Sequence, residues 1–214
     1  MKDSNGLYYS GAGVLIIEDY YTTEGYIEEC VLLVRNLSSG LYTDFGGTYE
    51  TKHSSLQITA HMELMEESRN LFNVDPRHLT LFVDVPVRDN EFYRVHLIKI
   101  NGTCRKYFRH NRKLMEKLLT KGIHIPSYWR ETDDIAHIPF KNIDFNILSA
   151  KGKLILKDIE GRDVTLHNRA KKVMYYSQAM IFNVAKLNPI ARKKDIIIVN
   201  SKDWTNGTYS YIIK

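Results

Sequence analysis

The sequence predicts an α+β protein, on three observations. Runs of β-branched and aliphatic residues precede the first helical periodicity, two further runs follow it, and the second half mixes helices with short strands instead of repeating strand–helix units. Ala12–Asp19 and Ile27–Arg35 read as the opening strands, with Asn36–Gly40 as the turn after them. Leu41–Phe45 is a short extended piece that leads into Gly46-Gly47. A helix then begins at Ser54, with Gln57 three residues later completing a capping box. Leu56, Ala60 and Leu64 recur every fourth residue and form its buried stripe, and its end is expected near Arg69-Asn70.

Leu79–Val87 and Glu91–Ile100 read as strands paired around Arg88-Asp89-Asn90. Cys104–Leu119 is a basic helix whose apolar side is Phe108, Leu114, Met115, Leu118 and Leu119. Asp134–Phe140 is a short strand, and Leu154–Lys157 with Val164–Leu166 flank a hairpin turn at Glu160-Gly161-Arg162. Asn168–Leu187 is a long helix carrying Val173, Tyr176, Met180 and Val184. Ile196–Val199 and Tyr209–Ile213 are final strands around Asn206-Gly207, a strong hairpin signal.

The chain has 214 residues, 43% apolar and 26% charged, which suits one globular domain. No apolar run approaches the roughly 20 residues that span a bilayer, and Met1–Gly6 contains no apolar signal core. The expectation is therefore a cytoplasmic protein without a membrane partner. Cys30 and Cys104 are the two cysteines and neither lies in a C-x-x-C pair, so no disulfide partner is expected.

The net charge of +5 is unevenly spread. Residues 1–100 hold 8 Lys/Arg against 15 Asp/Glu, and residues 101–214 hold 22 against 10. The second half is therefore either a solvated basic surface or a face for a polyanion.

The strongest chemical signal is Glu63-Leu64-Met65-Glu66-Glu67. Residues three and four apart share a helix face, so the carboxylates of Glu63, Glu66 and Glu67 point into one region while Leu64 points into the core. Their mutual repulsion calls for a cation, and Mg²⁺ or Mn²⁺ suits all-oxygen ligation.

Gly46-Gly47, a turn, and then Ala60 to Ser68 together resemble the Nudix box, G-x5-E-x7-R-E-U-x-E-E-x-G-U with U aliphatic. Glu63, Leu64, Glu66 and Glu67 match its R-E-U-x-E-E section, and Gly47 matches its opening glycine. Four departures stand out: Met62 in place of the arginine, His53 or Ser54 in place of the early glutamate, a loop one residue longer, and Arg69 and Asn70 in place of the closing glycine and aliphatic.

The resemblance directly covers roughly 23 residues. It implies an α/β/α sandwich with a mixed sheet over a core of about 8–150, leaving 151–214 as a basic helical and strand extension of a single domain, 1–214. It also implies Mg²⁺- or Mn²⁺-dependent hydrolysis of a nucleoside diphosphate derivative. An RNA cap, a dinucleoside polyphosphate, ADP-ribose and an inositol pyrophosphate are all eligible. Gly47, Glu63, Glu66 and Glu67 would hold the metal. The general base comes from the box helix, as Glu66 or Glu67, or from a later loop, where Glu131 is the candidate.

Arg35, Phe45, Tyr49, Glu50, Arg105 and Arg109 are the substrate-binding candidates. Glu50 follows the glycine turn, and Phe45 and Tyr49 bracket it, although core packing suits Phe45 better. Arg105 and Arg109 belong to a cluster with Lys106, Arg112, Lys113 and Lys117 that suits a phosphorylated small molecule or capped RNA. The departures from the box leave a second expectation open: a Nudix-type module that binds RNA or nucleotide without turnover.

Overall fold

A computed structural model describes residues 1–2, 6–69, 71–101, 105–190, 198–199 and 211–212. At its centre is β1 (Tyr8–Tyr21), the longest strand. β2 (Ile27–Asn36) pairs antiparallel with it from Ile16↔Leu32 to Tyr21↔Ile27. The extended piece before the helix divides into β3 (Tyr42–Thr43), on β2, and β4 (Phe45–Thr48), which pairs with Gly11–Val14 of β1.

After helix α1 (Leu56–Glu67) come β5 (Phe82–Arg88) and β6 (Glu91–Asn101), an antiparallel pair; β6 also runs parallel to β1 along its whole length. Helix α2 (Arg105–Thr120) precedes β7 (Thr132–Pro139), which joins the outer edge of β2. The result is a mixed seven-stranded sheet. A small hairpin, β8 (Ile155–Lys157) with β9 (Asp163–Thr165), leads to α3 (Asn168–Ala185). Ile198–Val199 (β10) and Tyr211–Ile212 (β11) pair antiparallel, and the Asn206-Gly207 turn between them lies outside the described residues.

Helices cover both faces of the sheet, which is why the central strands read as continuous apolar runs instead of alternating ones. Val14, Ile16, Leu32, Val34, Ile98 and Ile100 face one side and pack with Leu56, Ala60 and Leu64 of α1 and Phe108 of α2. Leu15, Ile17, Val31, Leu33, Val95 and Leu97 face the other and take Val173, Met174, Ile181 and Val184 of α3. This is an α/β/α sandwich. Met115 and Leu118 of α2 form a smaller third cluster with Ile125 and Trp129.

Local chemistry moves several expected details. The N-cap of α1 is Ser55, whose side chain accepts from the Ile58 amide; Gln57 instead donates to the carbonyls of Pro76 (2.6 Å) and Leu79 (3.2 Å), so no capping box forms. The helix ends at Glu67 with Ser68 as its C-cap, and Asn70 lies outside the described residues. Leu119 and Tyr176 lie on exposed rather than core faces. Cys30 is buried and unpaired, while Cys104 lies outside the described residues. No helix among the described residues is long and apolar enough to cross a membrane.

Candidate functional site

A cleft of about 540 Å³ opens over β4 and α1. Five carboxylates line it, Glu50, Glu63, Glu66, Glu67 and Glu131, together with Gly46, Gly47, Lys52, Tyr128, His167 and Arg169. The three helix glutamates, the glycine turn, Glu50 and the distant Glu131 therefore line one cleft.

Gly47 is small for a visible reason: a Cβ there would sit 2.4 Å from Oε1 of Glu63 and 2.6 Å from its Cδ. The bare Cα lets the first carboxylate of the helix lie against the strand. A Cβ on Gly46 would instead strike Tyr93 Oη at 2.0 Å and Gly13 Cα at 2.6 Å. Glu67 is buried and accepts from the Gly46 amide at 2.7 Å, so it ties the helix end to the glycine strand.

Burial, then the neighbouring Glu66, pushes Glu63 up to about 7. Burial raises Glu66 against the pull of Lys52, and burial raises Glu67 well above the carboxylate range against the pull of Arg169. Glu50 is exposed, paired with Lys52 at 2.6 Å, and held below its ordinary value by that hydrogen bond. All the cleft carboxylates offer hard oxygens, the donor chemistry that Mg²⁺ and Mn²⁺ take. Among the described residues, however, no three His, Cys, Asp or Glu side chains converge as a ligand set. The orientation of Glu67 toward Gly46 is one physical reason.

Arg69 occupies the place of the box's later glycine, and its backbone shows why a glycine suits that place: φ is +54°, in the left-handed region. The arginine has contacts of its own. Its Nε donates to the Trp129 carbonyl at 3.1 Å, its Nη2 donates to the Thr132 carbonyl, and its guanidinium lies 4.4 Å from the Phe108 ring centroid. Burial, then Arg112, pulls Arg69 down to about 10. Thr132 Oγ1 donates to the Glu67 carbonyl at 2.6 Å, and the Leu37 amide donates to the Glu131 carbonyl at 2.7 Å. The segment carrying Glu131 is thereby pinned to the end of the glutamate helix.

Met62 offers no charge where the box has arginine. The cation near Glu63 and Glu67 comes from α3: burial raises both carboxylates, and the Arg169 charge opposes that rise. Its Nε donates to Asp44 Oδ1 (2.9 Å) and Thr43 Oγ1 (3.1 Å), and its Nη2 to the Asp44 carbonyl (3.2 Å). Asp44 is fully buried and also accepts from Thr43 Oγ1 at 2.9 Å and Tyr93 Oη at 2.8 Å.

The other substrate candidates separate. Phe45 is core and fully buried. Tyr49 packs against the α1-side core and donates to the His53 carbonyl at 2.9 Å. Arg105 is 5% exposed and bound to Glu160 (2.6 Å), Asp158 (3.5 Å) and Asp134 (3.5 Å), so its charge is spent internally. Arg35 makes a bidentate pair with Asp133, 2.7 Å at each contact, and joins Arg109, Arg112 and Lys113 in a different cleft of about 370 Å³. Sequence reasoning missed Lys52, Tyr128, His167 and Arg169 as cleft residues. The position of Arg169 at the start of a predicted helix was the one available signal.

Comparison with family models and with curated proteins finds no match. Among solved structures, the chain is similar to a Nudix hydrolase from M. smegmatis, RenU, at 14% identity and a TM-score of 0.44, over 89% of this chain and 97% of that one. It is similar to a C. elegans Ap4A hydrolase at 17% identity and 0.33, over 44% and 67%. It is similar to the NUDIX domain of Shewanella oneidensis NrtR complexed with ADP ribose at 16% and 0.37, over 65% and 79%. Likenesses this distant do not carry an assignment. The sandwich itself, a mixed sheet with α1 and α2 on one face and α3 on the other, is the fold that the Nudix resemblance of Gly47 and Glu63–Glu67 implies.

Proposed function

We propose that the chain is a Mg²⁺- or Mn²⁺-dependent Nudix-type pyrophosphohydrolase that cleaves the diphosphate linkage of a nucleoside diphosphate derivative. One observation carries this reading: Glu63 lies against Gly47 in the same cleft as Glu66, Glu67 and Glu131. Glu63, Glu66 and Glu67, with the Gly47 carbonyl, would hold the divalent cation. When bound, it supplies charge neutralisation on the phosphates and a more acidic water. The protein's own part is positional and proton-accepting. Glu131 takes the proton of the attacking water as its oxygen bonds to phosphorus, and the phosphorus–oxygen bond to the leaving phosphate breaks. The ties of Arg69 and Thr132 hold that segment in place, which matters because small misplacements are costly to rate.

The test is release of phosphate or mononucleotide from a panel: capped RNA, a dinucleoside polyphosphate, ADP-ribose and an inositol pyrophosphate, each with Mg²⁺ and with Mn²⁺. Glu66→Gln and Glu131→Gln should each abolish turnover of the substrate that works. Absence of release from every member overturns the reading.

One observation favours a second reading, a module that binds RNA or nucleotide without turnover: no three carboxylates converge among the described residues. Met62→Arg separates the two, because a hydrolase weakened at this position gains rate and a pure binder gains none.

A further inference from the structure

We infer that Arg169 is the phosphate-binding arginine of the glutamate cleft, so that the C-terminal helix α3 supplies part of the site. This rests on the reading above, and extends it to a residue far from the box.

The charge balance of the cleft is the first ground. It is lined by five carboxylates, and a diphosphate is itself an anion. Lys52 is 67% exposed and its ammonium is already paired with the exposed Glu50. Arg169 is the cation that is held in place. Its Nε and Nη2 are fixed by Thr43 and by the side chain and carbonyl of Asp44, and Asp44 is itself fixed by Tyr93.

Donor geometry is the second ground. A guanidinium carries five N–H donors in a rigid fork. Among the described residues Nη1 makes no hydrogen bond, and the side chain is 27% exposed on the cleft it lines. Asp44 therefore orients the fork by one edge and leaves the other for a ligand. A phosphoryl oxygen is the chemical class that suits such an edge, because charge-assisted N–H···O bonds to phosphate are short and strong. A lysine could not hold Asp44 and a phosphate with the same geometry.

The experiment is calorimetric titration of the full chain with imidodiphosphate, a non-hydrolysable diphosphate, in Mg²⁺. Arg169→Gln and Arg169→Lys should each weaken binding at least about fivefold, the loss of one charge-assisted contact. Arg169→Lys serves where the Gln variant unfolds, with thermal unfolding run on both. A smaller loss in folded variants overturns the inference.

Glu66→Gln is the parallel control. If it loses binding and the Arg169 variants do not, the metal reading stands and the role of Arg169 falls. If the Arg169 variants lose binding and Glu66→Gln does not, Arg169 is an anion site and the metal reading falls. No binding by the wild-type chain overturns both.

Discussion

Replacing Arg69 sets two opposed effects against each other. Its left-handed backbone costs about 1 kcal/mol for a residue with a Cβ, and a glycine relieves that. Against this stand two hydrogen bonds from a charged donor to the buried carbonyls of Trp129 and Thr132, at about 1.5–3 kcal/mol each, and a stack on Phe108 of about 0.5–1 kcal/mol. The buried Nη1 has no partner, which subtracts about 1–3 kcal/mol from those gains. Arg69→Gly should therefore destabilise by about 2 kcal/mol, and Arg69→Ala by about 3 kcal/mol because it keeps the strain and loses the contacts. For a chain of this size that is a fall in Tm of about 4–12 °C. Urea and thermal unfolding read the order: wild type, then Gly, then Ala. Turnover should drop in both variants because the Glu131 segment loses one of its ties. A glycine variant as stable as wild type would refute the reasoning, and so would an alanine variant more stable than the glycine one.

Gly47→Ala should leave Tm within about 2 °C, since the clash is with the movable end of Glu63, yet cut turnover by about tenfold or more; a rate near wild type counts against the Glu63–Gly47 contact. Gly46→Ala meets the Gly13 backbone and the Tyr93 hydroxyl, and should destabilise by about 3 kcal/mol in urea unfolding, far more than Gly47→Ala. His96 is held down at about 4, chiefly by burial, so the unfolded chain takes up its proton first as pH falls. Stability should then decline from about pH 6.5 to about pH 4 by as much as about 3 kcal/mol, and His96→Gln should flatten that slope whatever it does to the plateau. Asp44→Asn should lower the affinity for imidodiphosphate by releasing Arg169, with the Mg²⁺ requirement unchanged; equal affinity would show that Arg169 needs no such anchor.

What the sequence revealed was the part written in local pattern. Leu15, Ile16 and Ile17 announce a strand buried on both faces, and Leu56, Ala60 and Leu64 announce the helix that sets three glutamates on one side. The cap shifted by one residue because Gln57 found the carbonyls of Pro76 and Leu79, partners no local rule names. Arg169 and Asp44 lie 125 positions apart, and nothing in either neighbourhood marks the other. Arg105 has the composition of a phosphate contact, and only the fold brings Asp134, Asp158 and Glu160 around it. Arg69 read as a defect in the box, yet the +54° backbone and the carbonyls of Trp129 and Thr132 make it a tie between the helix and the Glu131 segment.

The central claim is a divalent cation on the glutamates of α1. Crystals soaked with Mn²⁺ and imidodiphosphate test it most directly, by anomalous scattering. The account predicts a Mn²⁺ peak beside the carboxylates of Glu63 and Glu66, with diphosphate density next to it, and no peak in Glu66→Gln crystals. Fully formed crystals with diphosphate density in the cleft and no anomalous peak beside Glu63 and Glu66 would contradict it.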